Sequence, residues 1–113
     1  MKLIKQLAVL CVLSVPVAAF AVGTAAGTVT HMYADNAFGD LIYVEVSGVK
    51  TGNPACSTGK APFQFVLQRT SQLFADLLTF VVSAKQSGQT VTLVGSGTCG
   101  VDFTVESLVA VTY

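Results

Sequence analysis

Two cysteines, Cys56 and Cys99, limit what this chain can fold into more than any other feature, because the residues ahead of them read as an export signal. The opening stretch MKLIKQLAVLCVLSVPVAAFA sets Lys2 and Lys5 before an apolar run from Leu7, then a helix-breaking Pro16, then Ala19-Phe20-Ala21. A charged start, an apolar middle and an A-x-A site follow the order of a cleavable secretory signal. The run from Leu7 to Val22 is broken by Ser14 and Pro16, and it falls short of the ~20 apolar residues that a membrane span needs. Cleavage after Ala21 is therefore expected, giving a signal peptide over 1–21 and a single domain over 22–113. Cys11 leaves with the leader as an apolar filler, since Leu10 before it and its early position do not suit a lipoprotein signal. No membrane span is expected after processing, and the destination is the periplasm or the medium.

An exported chain with two remaining cysteines joins them more readily than it keeps two free thiols. The loop so closed has roughly 44 residues, worth about 4 kcal/mol by the chain-entropy argument, a large share of the stability of so short a chain. Loss of Lys2 and Lys5 leaves Lys50, Lys60, Arg69 and Lys85 against Asp35, Asp40, Asp76, Asp102, Glu45 and Glu106. With a net negative balance and no basic patch, the chain has little with which to neutralise phosphates, and nucleic-acid binding is not expected.

The mature chain reads as three strands, a helix and two more strands. GTVTHMYA (27–34) and DLIYVEVSG (40–48) flank the polar turn DNAFGD and form a hairpin. VKTGNPACSTGKAP (49–62) is a loop by composition. PFQFVLQ follows as a strand, with Phe63, Phe65 and Leu67 on one face and Gln64, Val66 and Gln68 on the other. From Thr70 the apolar period becomes helical, with Leu73, Leu77, Phe80, Val81 and Ala84 on one stripe that Phe74 and Leu78 widen. Thr70 or Ser71 is placed to cap this helix and Gly88 to end it. TVTLVG (90–95) and TVESLVAVTY (104–113) complete the set.

Five strands with a helix between the third and fourth is the chain order of an OB-fold, a partly open Greek-key barrel. In that topology the fourth strand runs antiparallel to the first and the fifth parallel to the third. The loops holding Cys56 and Cys99 then meet at one end, so the disulfide and the fold support each other.

Gly95-Ser96-Gly97-Thr98-Cys99-Gly100 spells G-x-G-x-x-G, but a dinucleotide loop must open a helix, and an alternating, β-branched segment follows here. The glycines are expected to form a reversing turn that carries Cys99 to its partner, and no cofactor is expected. His31, the only histidine, has no ligand-spaced Cys, Asp or Glu, so it is read as a strand surface residue and no metal site is expected. A hydrolase using His31 with Asp35 or Asp40 is a remote alternative. Asp35 and Asp40 flank the first turn, while Asp102 and Glu106 bracket the last strand, and these acids are read as turn formers. Phe38 and Phe103 lie outside obvious core positions, and Tyr43 faces outward in one of the two registers open to the first hairpin; the three are the tentative ligand contacts, an aromatic beside polar side chains being a platform for sugar or peptide, with closure of the barrel ends as the alternative role of the two Phe residues.

The segments ACS (55–57), LFADLLTFVVSAKQSGQTVTL (73–93) and GSGTC (95–99) resemble those of small secreted bacterial OB-like proteins, including the pentamer-forming B subunits of A–B toxins of the subtilase-cytotoxin type. The resemblance implies fold and export, with glycan binding and ring assembly as properties of such subunits; no sugar-binding residue carries over. The expectation is an exported, non-enzymatic module that binds a glycan or a protein surface. The alternative is a structural subunit of a homo-oligomer, favoured by Phe74, Leu78 and Val82 exceeding what one small barrel buries.

Overall fold

The computed structural model describes residues 22–36, 40–59, 61–100 and 103–113; the leader expected over 1–21, together with Phe38 and Asp102, lies outside them. Among the described residues the protein is mostly β with a single helix: β1 Thr24–Asp35, β2 Leu41–Val46, β3 Phe65–Gln68, α1 Phe74–Ser87, β4 Thr90–Cys99 and β5 Glu106–Thr112. Hydrogen bonding departs from chain order. The strands run β1-β2-β3-β5-β4, and β4 returns to β1, so the five-stranded sheet closes on itself. β3 and β5 pair in parallel and every other pair is antiparallel.

β1 is longer than its sequence pattern suggests because it serves two neighbours. Thr24–Thr28 pair with β4, and Val29–Asp35 pair with β2 after a register shift between Val29 and His31. A bulge of this kind bends a strand and sharpens its twist, which lets one strand turn from one neighbour to the next.

The Gly95–Cys99 stretch is not the expected turn. It continues β4 to Cys99, with register shifts against β5 at Val94/Gly95 and Gly95/Cys99. Its glycines serve a different purpose, set by Glu106 at the start of β5.

β2 is apolar on both sides, which is why LIYVEV reads as a nearly unbroken apolar run. Val44 and Val46 join Phe65, Leu67, Leu93 and Leu108 in the interior, with Ile42 packed against them. Leu41 and Tyr43 point the other way and form a second, smaller cluster with Val66, Val105 and the half-buried Phe63. Phe63 therefore does not share a face with Phe65 and Leu67. It precedes β3, where strand alternation does not bind it. Val66, expected on a polar face, is buried in the outer cluster.

The helix begins later than expected. Leu73 holds the N-cap position, and no side chain caps the helix, so Thr70 and Ser71 do not cap it. Ser71 is spent on a tight turn, in which its N–H donates to the Gln68 carbonyl and its own carbonyl accepts from Phe74. The buried stripe is Phe74, Leu77, Val81 and Ala84. Leu73 and Phe80, expected inside, are 52% and 43% exposed, while Phe74, expected in excess of the core, is buried. Gly88, at φ 70°, ends the helix with its N–H on Ala84 O.

Cys56 and Cys99 are joined, with their Cα atoms 6.0 Å apart. The bond pins the β2–β3 loop to the end of β4, and the loop is tied again where the Thr58 and Gly59 N–H groups donate to Thr104 O.

Beside this staple lies a buried charge. Glu106, read from sequence as a turn former, is fully buried at the head of β5. Its Oε2 accepts the N–H groups of Gly23 at 3.0 Å and Gly97 at 2.8 Å. Its Oε1 rests on the ion pair alone, 2.9 Å from the Nζ of Lys50, whose side chain is 8% exposed. Lys50 also donates to Gln64 O and Ser57 Oγ and lies 4.6 Å from the Phe65 ring centroid. A Cβ at Gly95 would collide with the Glu106 carboxylate, so the glycine there makes room for a charge. Lys50→Met, which strips Glu106 of its countercharge, is expected to cost about 3–5 kcal/mol in urea unfolding. Adding Glu106→Gln, whose amide oxygen still accepts from Gly23 and Gly97, is expected to restore most of that loss.

Candidate functional site

Period-two alternation puts His31, Tyr33 and Asp35 on the outer side of β1, with Met32 packed against the interior. Register then aligns Tyr33 with Tyr43 on β2 and Tyr43 with Val66 on β3. Phe63 folds onto this row from the loop ahead of β3. The three rings make a cluster with centroids 5.9 Å apart for Tyr33–Tyr43, 5.9 Å for Tyr33–Phe63 and 5.7 Å for Tyr43–Phe63. Tyr33 and Phe63 stack at 26°.

Tyr43 is fully buried, so it underlies this surface and does not contact ligand as expected. The chain's own β2–β3 loop and Phe63 occupy the space that a ligand would need. Tyr33, passed over at the sequence level, is 49% exposed and takes the position assigned to Tyr43. Its signal was present in the alternation of β1, where Met32 turns in and its neighbours turn out. Phe103 is 79% exposed beyond the disulfide, as expected of a surface aromatic.

A cleft of about 450 Å³ opens beside Tyr33, with Asp35, Asn36, Asp40 and Arg69 in its wall. The Tyr33 hydroxyl donates to Asp35 Oδ2 at 3.3 Å. Arg69 Nε stands 3.6 Å from Asp40 Oδ2, and both side chains are exposed, so the pair orients the wall more than it stabilises the fold. Asp40 has φ 60°, a left-handed conformation that Asp tolerates better than most side chains. A second cleft, of about 300 Å³, lies on the Phe63 side, lined by Asn53, Ser57, Thr58 and Gln64. Gln64 is structurally committed: its Oε1 accepts from Val46 N–H and its Nε2 donates to Gly48 O.

His31 is paired with Glu45 directly across the hairpin, Nδ1 to Oε1 at 2.6 Å, with the His side chain 69% exposed. Asp35 is four residues further along β1, about 13 Å at the usual strand rise, and Asp40 lies in the turn beyond it. Neither is the carboxylate beside His31, and the pair that does form sits on an open surface away from both clefts. Among the described residues no group of three or more His, Cys, Asp or Glu side chains is placed to hold a metal ion. No helix among them is long and apolar enough to cross a membrane.

Comparison of the chain with family models, with curated proteins and with solved structures finds no match.

The Thr30 hydroxyl, 2.6 Å from Glu45 Oε1, holds the Glu45 carboxyl below the usual range, and the hydrogen bond from His31 adds to this. A carboxyl lowered in the folded state stabilises the fold above its unfolded value, near 4.5, and loses that contribution as pH falls through the folded value. Glu45→Gln is therefore expected to lower stability at pH 6, with the gap to the parent narrowing as pH drops below 4.5 in acid-series thermal melts.

Proposed function

We propose that the chain is an exported, non-enzymatic binding domain of the OB type, and that a glycan seats in the cleft beside Tyr33. The observation that carries this reading is a half-exposed aromatic backed by Phe63 and ringed by Asp35, Asn36, Asp40 and Arg69. Ligand sites pair apolar and aromatic walls with a few well-placed polar groups, and these residues supply both. The fold reading draws support from the helix between β3 and β4, the antiparallel β1–β4 pair and the parallel β3–β5 pair. OB barrels take ligands in part beside the connection between strands 1 and 2, and Asn36 and Asp40 of this cleft stand at the ends of that connection. Export draws support from the Cys56–Cys99 bond, which suits an oxidising compartment.

A second reading, self-association, is favoured by the outer side of α1. Leu73 and Phe80 are exposed there, and Phe80 meets the exposed Tyr113 edge-on at 5.6 Å. Leu78 and Val82 line a shallow groove on the same helix.

Screening the protein that begins at Val22 against immobilised glycans tests the first reading. Tyr33→Ala is expected to weaken binding about tenfold or more while unfolding stays cooperative, tenfold being 1.4 kcal/mol. Binding unchanged by that substitution would remove the cleft from consideration. Light scattering tests the second: a defined multiple of the protomer mass that falls on Phe80→Glu supports it, and a monomer at high concentration disposes of it.

A further inference from the structure

The two clefts share a pair of stacked rings. Tyr33 belongs to the wall of the first and Phe63 to the wall of the second, and the two rings stack at 26° with centroids 5.9 Å apart. Each ring is backed by the other and by the buried Tyr43, so neither can swing away without breaking the cluster. The disulfide fixes the loop that carries Phe63 and the second cleft, tying its Cys56 to the end of β4. The ridge is thus held by ring packing, and the loop that carries Phe63 by the disulfide.

We propose that these clefts form a single track for a linear oligosaccharide, with at least one sugar unit in each and the Tyr33–Phe63 stack as the ridge between neighbouring subsites. This rests on the reading of the Tyr33 cleft as the binding site and adds what that reading leaves open, namely that the ligand is an internal run of a chain and not a terminal sugar. The chemistry of both walls suits sugar hydroxyls. Asp35, Asn36 and Arg69 supply acceptors and donors on one side, and Asn53, Ser57 and Thr58 supply them on the other. A peptide docking by strand addition is disfavoured, because this sheet closes on itself and offers no free edge. Preformed subsites also bind the second unit of a ligand at lower entropic cost than the first, so affinity grows with chain length.

The test is a length series. The protein beginning at Val22 is titrated by saturation-transfer NMR and calorimetry with chito-, malto- and β-galacto-oligosaccharides of one to six units, and with an unbiased linear peptide library. In at least one series affinity is expected to rise about tenfold or more between one unit and four. Asn53→Ala, in the second cleft, is expected to weaken the tetrasaccharide about fivefold and leave the monosaccharide unchanged, while Tyr33→Ala weakens both. Equal affinity for one unit and four, still lost on Tyr33→Ala, overturns the track and keeps the cleft as a terminal-sugar site. Binding found only in the peptide library, or in neither set, overturns both the track and the glycan reading.

Discussion

A carboxylate removed from water is tolerable only where its charge and its lone pairs are answered, and Glu106 depends on Lys50, Gly23 and Gly97 for this. Those partners come from three separate segments: the residue before β1, the β2–β3 loop and the last part of β4. β3 joins through Phe65, which pairs with Glu106 in the sheet and lies under the Lys50 ammonium. Apolar packing alone would leave the meeting of these segments loosely specified. A single buried charge with directional partners admits only one arrangement, because any slip leaves an ion unanswered.

The disulfide and the outer cluster extend this constraint to the surface. With Cys56 tied to Cys99, Lys50 to Glu106, and Thr58 and Gly59 to Thr104, the β2–β3 loop is held at several points, and its Phe63 lies over the outer side of β2 and β3. Leu41, Tyr43 and Val66 are buried on that side, and Phe63 is set in place against Tyr33. The same loop that covers the sheet therefore builds the ridge and lines the second cleft. Structural closure and the candidate binding surface are products of one loop placement.

Much of the architecture was legible in the sequence. The switch from period two to a helical period and back marks the five strands and the helix, and the cysteine pairing follows from the placement of the two loops at one end of the expected barrel. What escaped reading has physical causes. Glycines in series look like a turn, yet between Gly95 and Cys99 they are strand, since the carboxylate they make room for enters from the neighbouring strand β5 and only the pairing of the two strands reveals it. The helix stripe came out rotated because Phe74 and Leu73 are both apolar, and only tertiary packing decides which is inside. Tyr43 was misplaced, and Tyr33 missed, for a shared reason. In a small closed sheet whose outer side is partly covered by a loop, facing outward does not mean facing solvent.

The joining of β1 to β4, and of Gly23 to Glu106, makes neighbours of residues from opposite ends of the domain. Contacts of such long sequence separation form late, because the loop-closure entropy must be met before they give anything back. Until β5 delivers the carboxylate, Lys50 lacks its counterion and the Gly23 N–H, just before β1, lacks its acceptor. The interaction that locks the domain is the one that waits for the last strand to arrive.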